Sequence, residues 1–291
     1  MKPPTSPTSS PTTDRTASAP VRAIALRPRS SAAVLLMSVV GVAAFSWPLL
    51  VDAGAGLAHG TDAPLLFAML LPLLLAVVLA EVGEGGLDVK AVAMLGVLSA
   101  VGAALRPLGA GTAGLETVFF LLVLAGRVFG AGFGFVLGAT TLGASALVTG
   151  GVGPWLPYQM LGAAWVGLGA GLLPHARGRA ELGLLAAYGG VSALAYGLLL
   201  NLTFWPFSVG PGTDLSFVPG AALLTNVHHF LLFSVDTSPG WSLGRPLTTV
   251  VPILLTGHTI HGPLHSAPRG PRLAATGTFA RPGPPLSTTA P

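Results

Sequence analysis

The chain has very little charge for its length. Only 24 of its 291 residues are Asp, Glu, Lys or Arg, which is 8% against about 25% in an average soluble domain. So few charged side chains cannot cover a water-facing surface, and the mean hydropathy of +0.75 is correspondingly high. A soluble globular protein is therefore excluded, and the sequence predicts a protein that crosses a membrane several times.

Cysteine is absent, which excludes disulfides, thiolate nucleophiles and cysteine-based zinc or iron–sulfur sites. Lysine occurs only at Lys2 and Lys90, and neither follows a glycine-rich loop. The chain therefore has no Walker A motif, and any ATP that drives it must bind to another chain. We expect no cofactor.

Three histidines near the end of the last apolar segment have a spacing that suits a metal site on a helix. His258, His261 and His265 are three and four residues apart, but Pro263 interrupts the helical pattern between them. We interpret them as a cluster at the cytoplasmic interface and predict no metal site.

Basic residues are concentrated in the two tails. Residues 1–30 and 263–291 together carry eight basic residues and one acidic residue, whereas residues 31–262 carry six basic and nine acidic residues. Basic tails around an apolar body follow the positive-inside rule, so they do not indicate nucleic-acid binding. We predict a multi-pass protein of the cell membrane with both termini in the cytoplasm and no nucleic-acid partner.

The apolar segments predict an all-α, polytopic helix bundle, because backbone groups in lipid must be hydrogen-bonded within their own helix. Residues 1–30 are rich in Pro, Ser and Thr and, like residues 263–291, are expected to be disordered. Residues 204–240 are predicted to form a long aromatic loop on the outer side. The predicted spans are 31–51, 64–81, 89–105, 113–126, 128–149, 156–174, 182–203 and 241–261.

Small residues recur at every fourth position in three spans, so each set lies on one helix face. Such faces allow two helix backbones to approach closely. For the fifth span with its lead-in, and for the sixth span, we predict internal helix packing; the residues are Gly126, Gly130, Gly134 and Gly138 in the first set and Ala163, Gly167 and Gly171 in the second. The third set, on the third span, indicates either internal packing or a flat face for another membrane subunit; it comprises Gly96, Ala100 and Ala104.

Polar and aromatic residues collect at the predicted outer ends of the spans. Arg106 lies there against the positive-inside trend, and ionisable groups at membrane depth are functional candidates. We predict a pocket for a polar heterocyclic ligand. An Arg106–Glu116 ion pair with an interfacial aromatic belt is the alternative. The candidate binding residues are Arg106, Glu116, Trp155, Tyr158, Gln159, Asn201, Trp205, Asn226 and Trp241.

One pattern is similar to the catalytic dyad of intramembrane rhomboid proteases. Gly143-Ala144-Ser145-Ala146 lies within one span and His258 within another, but the second glycine of the rhomboid G-x-S-G motif is missing. We interpret Ser145 as a packing hydroxyl that bonds back to its own helix. The chain is not expected to be an enzyme, and an intramembrane serine protease is a minor alternative.

Several longer motifs cover most of residues 89–262. They read A-V-A-M-L-G-V-L-S-A-V-G-A-A-L-R-P (91–107), E-T-V-F-F-L-L-V-L-A-G-R (116–127), G-F-G-F-V-L-G (132–138), G-G-V-G-P-W-L-P-Y-Q-M (150–160) and T-S-P-G-W-S-L-G-R (237–245). Together they resemble the substrate-binding S component of energy-coupling factor (ECF) vitamin transporters.

The resemblance implies a six-helix core over 89–262, preceded by two additional transmembrane helices over 31–81. It also implies that Gly96, Ala100 and Ala104 contact a transmembrane T component, and that two ATPase subunits on separate chains supply energy. The expected ligand is a vitamin or related micronutrient, with cobalamin as the first candidate. The C-terminus departs from the family pattern, because it lacks a strongly basic tail directly after the last helix. An autonomous secondary transporter of a small organic solute is the alternative function.

Overall fold

The computed structural model describes residues 28–50, 63–83, 89–109 and 114–265. Within these ranges every regular element is an α-helix, which confirms the all-α prediction. The predicted disordered arm and tail lie almost entirely outside the described residues, as do the side chains of the three C-terminal histidines. The helices are α1 (Pro28–Leu50), α2 (Ala63–Gly83), α3 (Val89–Gly109), α4 (Phe119–Phe129), α5 (Ala131–Thr149), α6 (Leu156–Leu172), α7 (Arg179–Ser208), α8 (Leu223–Thr237) and α9 (Pro239–His265).

Four of these helices are long and apolar enough to cross a membrane: Ser31–Leu50 in α1, all of α3, all of α5 and all of α7. Large apolar side chains also cover much of the outer surface of the bundle. Leu35, Val97 and Val191, on three different helices, are all more than 60% exposed. An exterior of this kind is unfavourable in water but is the normal surface of a helix that faces lipid.

One helix lies where the sequence predicted only a loop. Helix α8 falls within 204–240, and α7 continues to Ser208, past the predicted end of the seventh span. The amphipathic segment of α8 contains Asn226, two histidines and Asp236, and it is too short and too polar to be recognised as a span. Its helical structure follows from packing against α7, α1 and α9.

Helices α5 and α6 form the centre of the bundle through close backbone contact. A Cβ atom added at Gly134 would collide with the Gly167 carbonyl oxygen, and one added at Gly138 would collide with that of Ala163. Gly126, at the end of α4, meets the same Gly167 carbonyl. The predicted internal packing of these glycines is confirmed.

The N-terminal helices share one hydrophobic core with the rest of the chain. Phe45 of α1 packs against the Tyr158 ring at a centroid distance of 5.1 Å. The indole nitrogen of Trp165 in α6 donates a hydrogen bond to the Ser38 hydroxyl at 3.0 Å. Helix α1 is therefore fixed to α6 by both apolar and polar contacts.

The end of the bundle where α4 and α6 terminate is held by a buried ion pair. Arg127 donates to both carboxylate oxygens of Glu181, at 2.6 and 2.9 Å. Its other donors reach the carbonyls of Leu173 and Pro174 at 2.6 and 3.1 Å. One guanidinium thus ties together α4, the α6–α7 connection and the start of α7.

Candidate functional site

A cavity of about 460 Å³ lies at the opposite end of the bundle. This volume falls within the range of roughly 300–1,000 Å³ that is typical of small-molecule sites. Helices α3, α5 and α8 end at the cavity, α6 and α9 begin there, and α7 passes beside it. Its lining consists of Arg106, Pro107, Glu116, Ser145, Thr149, Gly151, Trp155, Gln159, Gly197, Leu200, Asn201, Phe204, Thr237, Ser238, Trp241, Ser242 and Arg245.

The structure brings most of the candidate binding residues together in this lining, although they are far apart in sequence. Trp155 and Trp241, at the starts of α6 and α9, are 39% and 38% exposed, so their rings remain available to a ligand. The candidates that line the cavity are Arg106, Glu116, Trp155, Gln159, Asn201 and Trp241.

The other three candidates lie outside the cavity lining, and each has a partner elsewhere. Tyr158 packs against α1 and lines a separate cavity of about 50 Å³. Trp205 is fully buried and donates to the Leu215 carbonyl at 2.6 Å. Asn226 bonds to both the amide and the carbonyl of Val218, at 3.1 and 2.9 Å. Trp205 and Asn226 therefore hold the connection between α7 and α8.

Arg106 and Glu116 do not form the ion pair that the sequence suggested as the alternative. Arg106, in the last turn of α3, donates from Nη2 to Gln159 Oε1 at 2.8 Å. Glu116 instead pairs with Arg245 of α9. Because Gln159 is neutral, this contact does not compensate the charge of Arg106.

Arg245 is the functional candidate that sequence reasoning missed. It is 5% exposed, and its guanidinium carbon lies 5.1 Å from the Tyr196 ring centroid, 5.7 Å from that of Trp241 and 5.9 Å from that of Phe119. Three aromatic faces and one carboxylate thus stabilise the buried cation. A charged residue inside an apolar span was the signal that could have identified it.

Glycine at position 197 makes room for this arginine. A Cβ atom there would lie 2.5 Å from Arg245 Nη1, which is much closer than van der Waals contact allows. Helix α7 therefore has no side chain at this point of contact, and a larger residue at position 197 would force the guanidinium to shift.

Ser145 lies near the end of α5 and is 0% exposed. The interpretation of this hydroxyl as bonding back to its own helix is wrong: within the described residues, Oγ has no hydrogen-bond partner. Thr149 makes such a bond instead, donating to the Ser145 carbonyl at 2.8 Å. Ser145 is one of the residues that line the cavity, although none of its surface is exposed. The His258 side chain of the suggested dyad lies outside the described residues.

The small-residue face of α3 lies on the exterior of the bundle. Gly96, Ala100 and Ala104 are all exposed, and a Cβ at Gly96 would meet no atom within 4 Å. The opposite face of α3, with Ser99 and Gly102, packs on α5, where Ser99 bonds to Thr140 at 2.8 Å. Internal packing, one of the two possibilities for this face, is therefore not observed.

Comparisons of the chain with models of protein families, with curated proteins and with solved structures find no match. Among the residues that the structure describes, no three His, Asp or Glu side chains lie together in a way that could hold a metal ion. The chemistry of the cavity is thus that of guanidinium, carboxylate, amide, hydroxyl and indole groups, which suits reversible binding of a polar organic molecule.

Proposed function

We propose that this chain is the substrate-binding S component of an ECF-type uptake transporter in the cell membrane. It captures a vitamin or related micronutrient and carries out no chemistry of its own. The observation that carries the proposal is the cavity, which combines charged, amide and aromatic groups at one end of a bundle of apolar helices.

The placement of basic residues supports capture from outside. Arg177 and Arg179 lie at the end of the bundle opposite the cavity, between α6 and the first residue of α7. By the positive-inside rule that end faces the cytoplasm, and the cavity then faces the exterior. The positive-inside rule also places the two basic tails in the cytoplasm, which agrees with this orientation.

The partners are a transmembrane T component and two ATPase subunits. The chain has no Walker A lysine, so the energy of ATP hydrolysis must arrive through another chain. The exposed Gly96, Ala100 and Ala104 leave a flat strip on α3 against which a partner helix can pack closely.

The cavity volume favours a ligand smaller than cobalamin. A corrin ring with its nucleotide tail is much larger than the drug-sized ligands that cavities of roughly 300–1,000 Å³ enclose. We therefore place vitamins and cofactor precursors of moderate size before corrinoids.

The test is co-purification of the tagged chain from its native membranes. We expect a T component and ATPase subunits to accompany the wild-type chain, and the Ala100→Leu and Ala104→Leu variants to lose them, because leucine holds two helices apart. Val191→Leu is the matched control, since it adds bulk to a lipid-facing position on α7 that is 68% exposed.

One result would overturn the proposed function, and a second would overturn only the assignment of the α3 face as the docking surface. A wild-type chain that purifies without ATPase subunits and still transports solute into proteoliposomes by itself would be an autonomous secondary transporter. Equal loss of partners in the Val191→Leu control would show that the α3 face has no special role.

A further inference from the structure

We infer that the cavity binds a small organic acid with a single negative charge, whose carboxylate is held by Arg106. This inference rests on the proposed function, in that the cavity holds a solute. It adds the charge and the acidic group of that solute, which neither the sequence nor the proposed function specifies.

The first observation is the charge of the cavity wall. The ionisable side chains of the lining are Arg106, Arg245 and Glu116. Arg245 is paired with Glu116, so the two charges cancel. Arg106 belongs to no ion pair among the described residues, which leaves the lining with one net positive charge.

The second observation is the incomplete hydrogen bonding of Arg106. A guanidinium has five N–H donors, and among the described residues only the contact from Nη2 to Gln159 Oε1 is formed. A cation that is partly removed from water and lacks a counterion is unfavourable. A bound carboxylate would supply the missing charge and accept further hydrogen bonds.

The third observation is independent of Arg106. The Ser145 hydroxyl is completely buried, belongs to the lining of the same cavity and has no hydrogen-bond partner in the part of the chain that the structure describes. Buried polar groups are almost always hydrogen-bonded, so this hydroxyl is a group whose hydrogen bond a ligand in the cavity can complete. Ser145 can donate to a second acceptor on the same ligand.

A structural role for Arg106 is the competing explanation, because a cation in the last turn of a helix interacts favourably with the helix dipole. Arg106 does lie in the last turn of α3. Within the described residues, however, its side chain donates to Gln159 of α6 and to no carbonyl of α3. Because Gln159 is another residue of the cavity lining, that direction favours a role in binding.

The test uses the absence of native cysteine. Thr149→Cys places one thiol in the cavity wall, at the end of α5. Ser208→Cys places one at the end of α7, at the same end of the bundle but outside the cavity lining. For the full-length protein in a neutral detergent, we would measure the reaction rates of each thiol with an anionic sulfonatoethyl and a cationic trimethylammonium-ethyl methanethiosulfonate. We expect the ratio of the anionic to the cationic reaction rate to be higher at position 149 than at position 208. Arg106→Gln should lower the ratio at position 149 roughly tenfold, because it removes a unit charge from a region of low effective permittivity.

Arg106→Lys is the matched variant, since it keeps the charge and is expected to keep the ratio. A ratio at position 149 equal to that at position 208, or one unchanged by Arg106→Gln, would overturn the inference.

In a second measurement, binding is compared within three pairs of an acid and its neutral analogue: nicotinate and nicotinamide, biotin and biotinamide, and pantothenate and panthenol. Tighter binding of the neutral member of any pair would also overturn the inference. If no member of any pair binds, the thiol reaction rates alone decide whether the inference holds. Because co-purification of ATPase subunits does not depend on ligand charge, failure of this inference leaves the proposed function separately testable.

Discussion

Replacing Glu116 with Gln is expected to destabilise the protein, because it leaves the Arg245 guanidinium buried without a counterion. The two side chains are 14% and 7% exposed, so water screens their pairing poorly. Breaking a buried ion pair from one side costs about 3–5 kcal/mol. The three aromatic rings around the guanidinium remain and retain part of its stabilisation, so we expect a loss of about 2–3 kcal/mol.

Thermal unfolding of the detergent-solubilised protein, followed by size-exclusion fluorescence, would measure this loss. At about 2–4 °C per kcal/mol, the midpoint should fall by about 4–12 °C. Asp236→Asn is the matched control: the same carboxylate-to-amide change at an exposed position of α8 should change stability by no more than about 0.5 kcal/mol.

A double-mutant cycle tests the physical reason. Glu116→Gln and Arg245→Met together remove both charges, so the double variant should be more stable than the sum of the single losses predicts, by at least about 1 kcal/mol. Strictly additive losses would refute the reasoning, as would a Glu116→Gln protein with the wild-type midpoint, because either result would mean that the pair is not coupled.

Three further outcomes are expected. Trp155→Ala should raise the dissociation constant of a bound solute about fivefold through loss of an aromatic contact. Trp165→Phe, a change away from the cavity lining, should leave the affinity unchanged. If calorimetry gives the Trp155→Ala protein the wild-type affinity, the ligand binds elsewhere. Gly134→Val should lower the yield of folded protein sharply, because its side chain meets the Gly167 backbone; a wild-type elution profile would contradict that packing. A cysteine at the exposed Thr213 should react with an impermeant maleimide on intact cells, and labelling only after lysis would reverse the topology.

Much of the helical architecture could be predicted from the sequence. Eight of the helices that the structure describes coincide with predicted apolar spans, with shifts at their ends. Helix α8 could not be predicted in this way, since its mixture of Asn226, His228, His229 and Asp236 with apolar residues gives no membrane-span signal. A short helix of this composition depends on its tertiary neighbours for stability.

The candidate site was predicted in outline but not in its side-chain directions. Trp155 and Gln159 could be placed together because they are one helical turn apart at the start of α6. Trp205 is similar to Trp155 in chemistry, yet its indole is fully buried against the partly buried rings of Phe217 and Phe230. Which face of α7 is turned inward depends on packing against its neighbours, and no local pattern in an almost wholly apolar helix specifies it.

The sequence alone determined the class of structure. The scarcity of charge favours a lipid environment, the apolar segments must be helical in lipid, and the glycine repeats allow helices to come into close contact. These follow from composition and from spacings of a few residues along one helix. Only the tertiary structure decided that Arg245 pairs with Glu116 across 129 residues, that Arg106 turns to Gln159 across 53, and that the small face of α3 lies outside. Such pairings depend on the relative rotation and depth of different helices, which is set by the sum of their packing contacts.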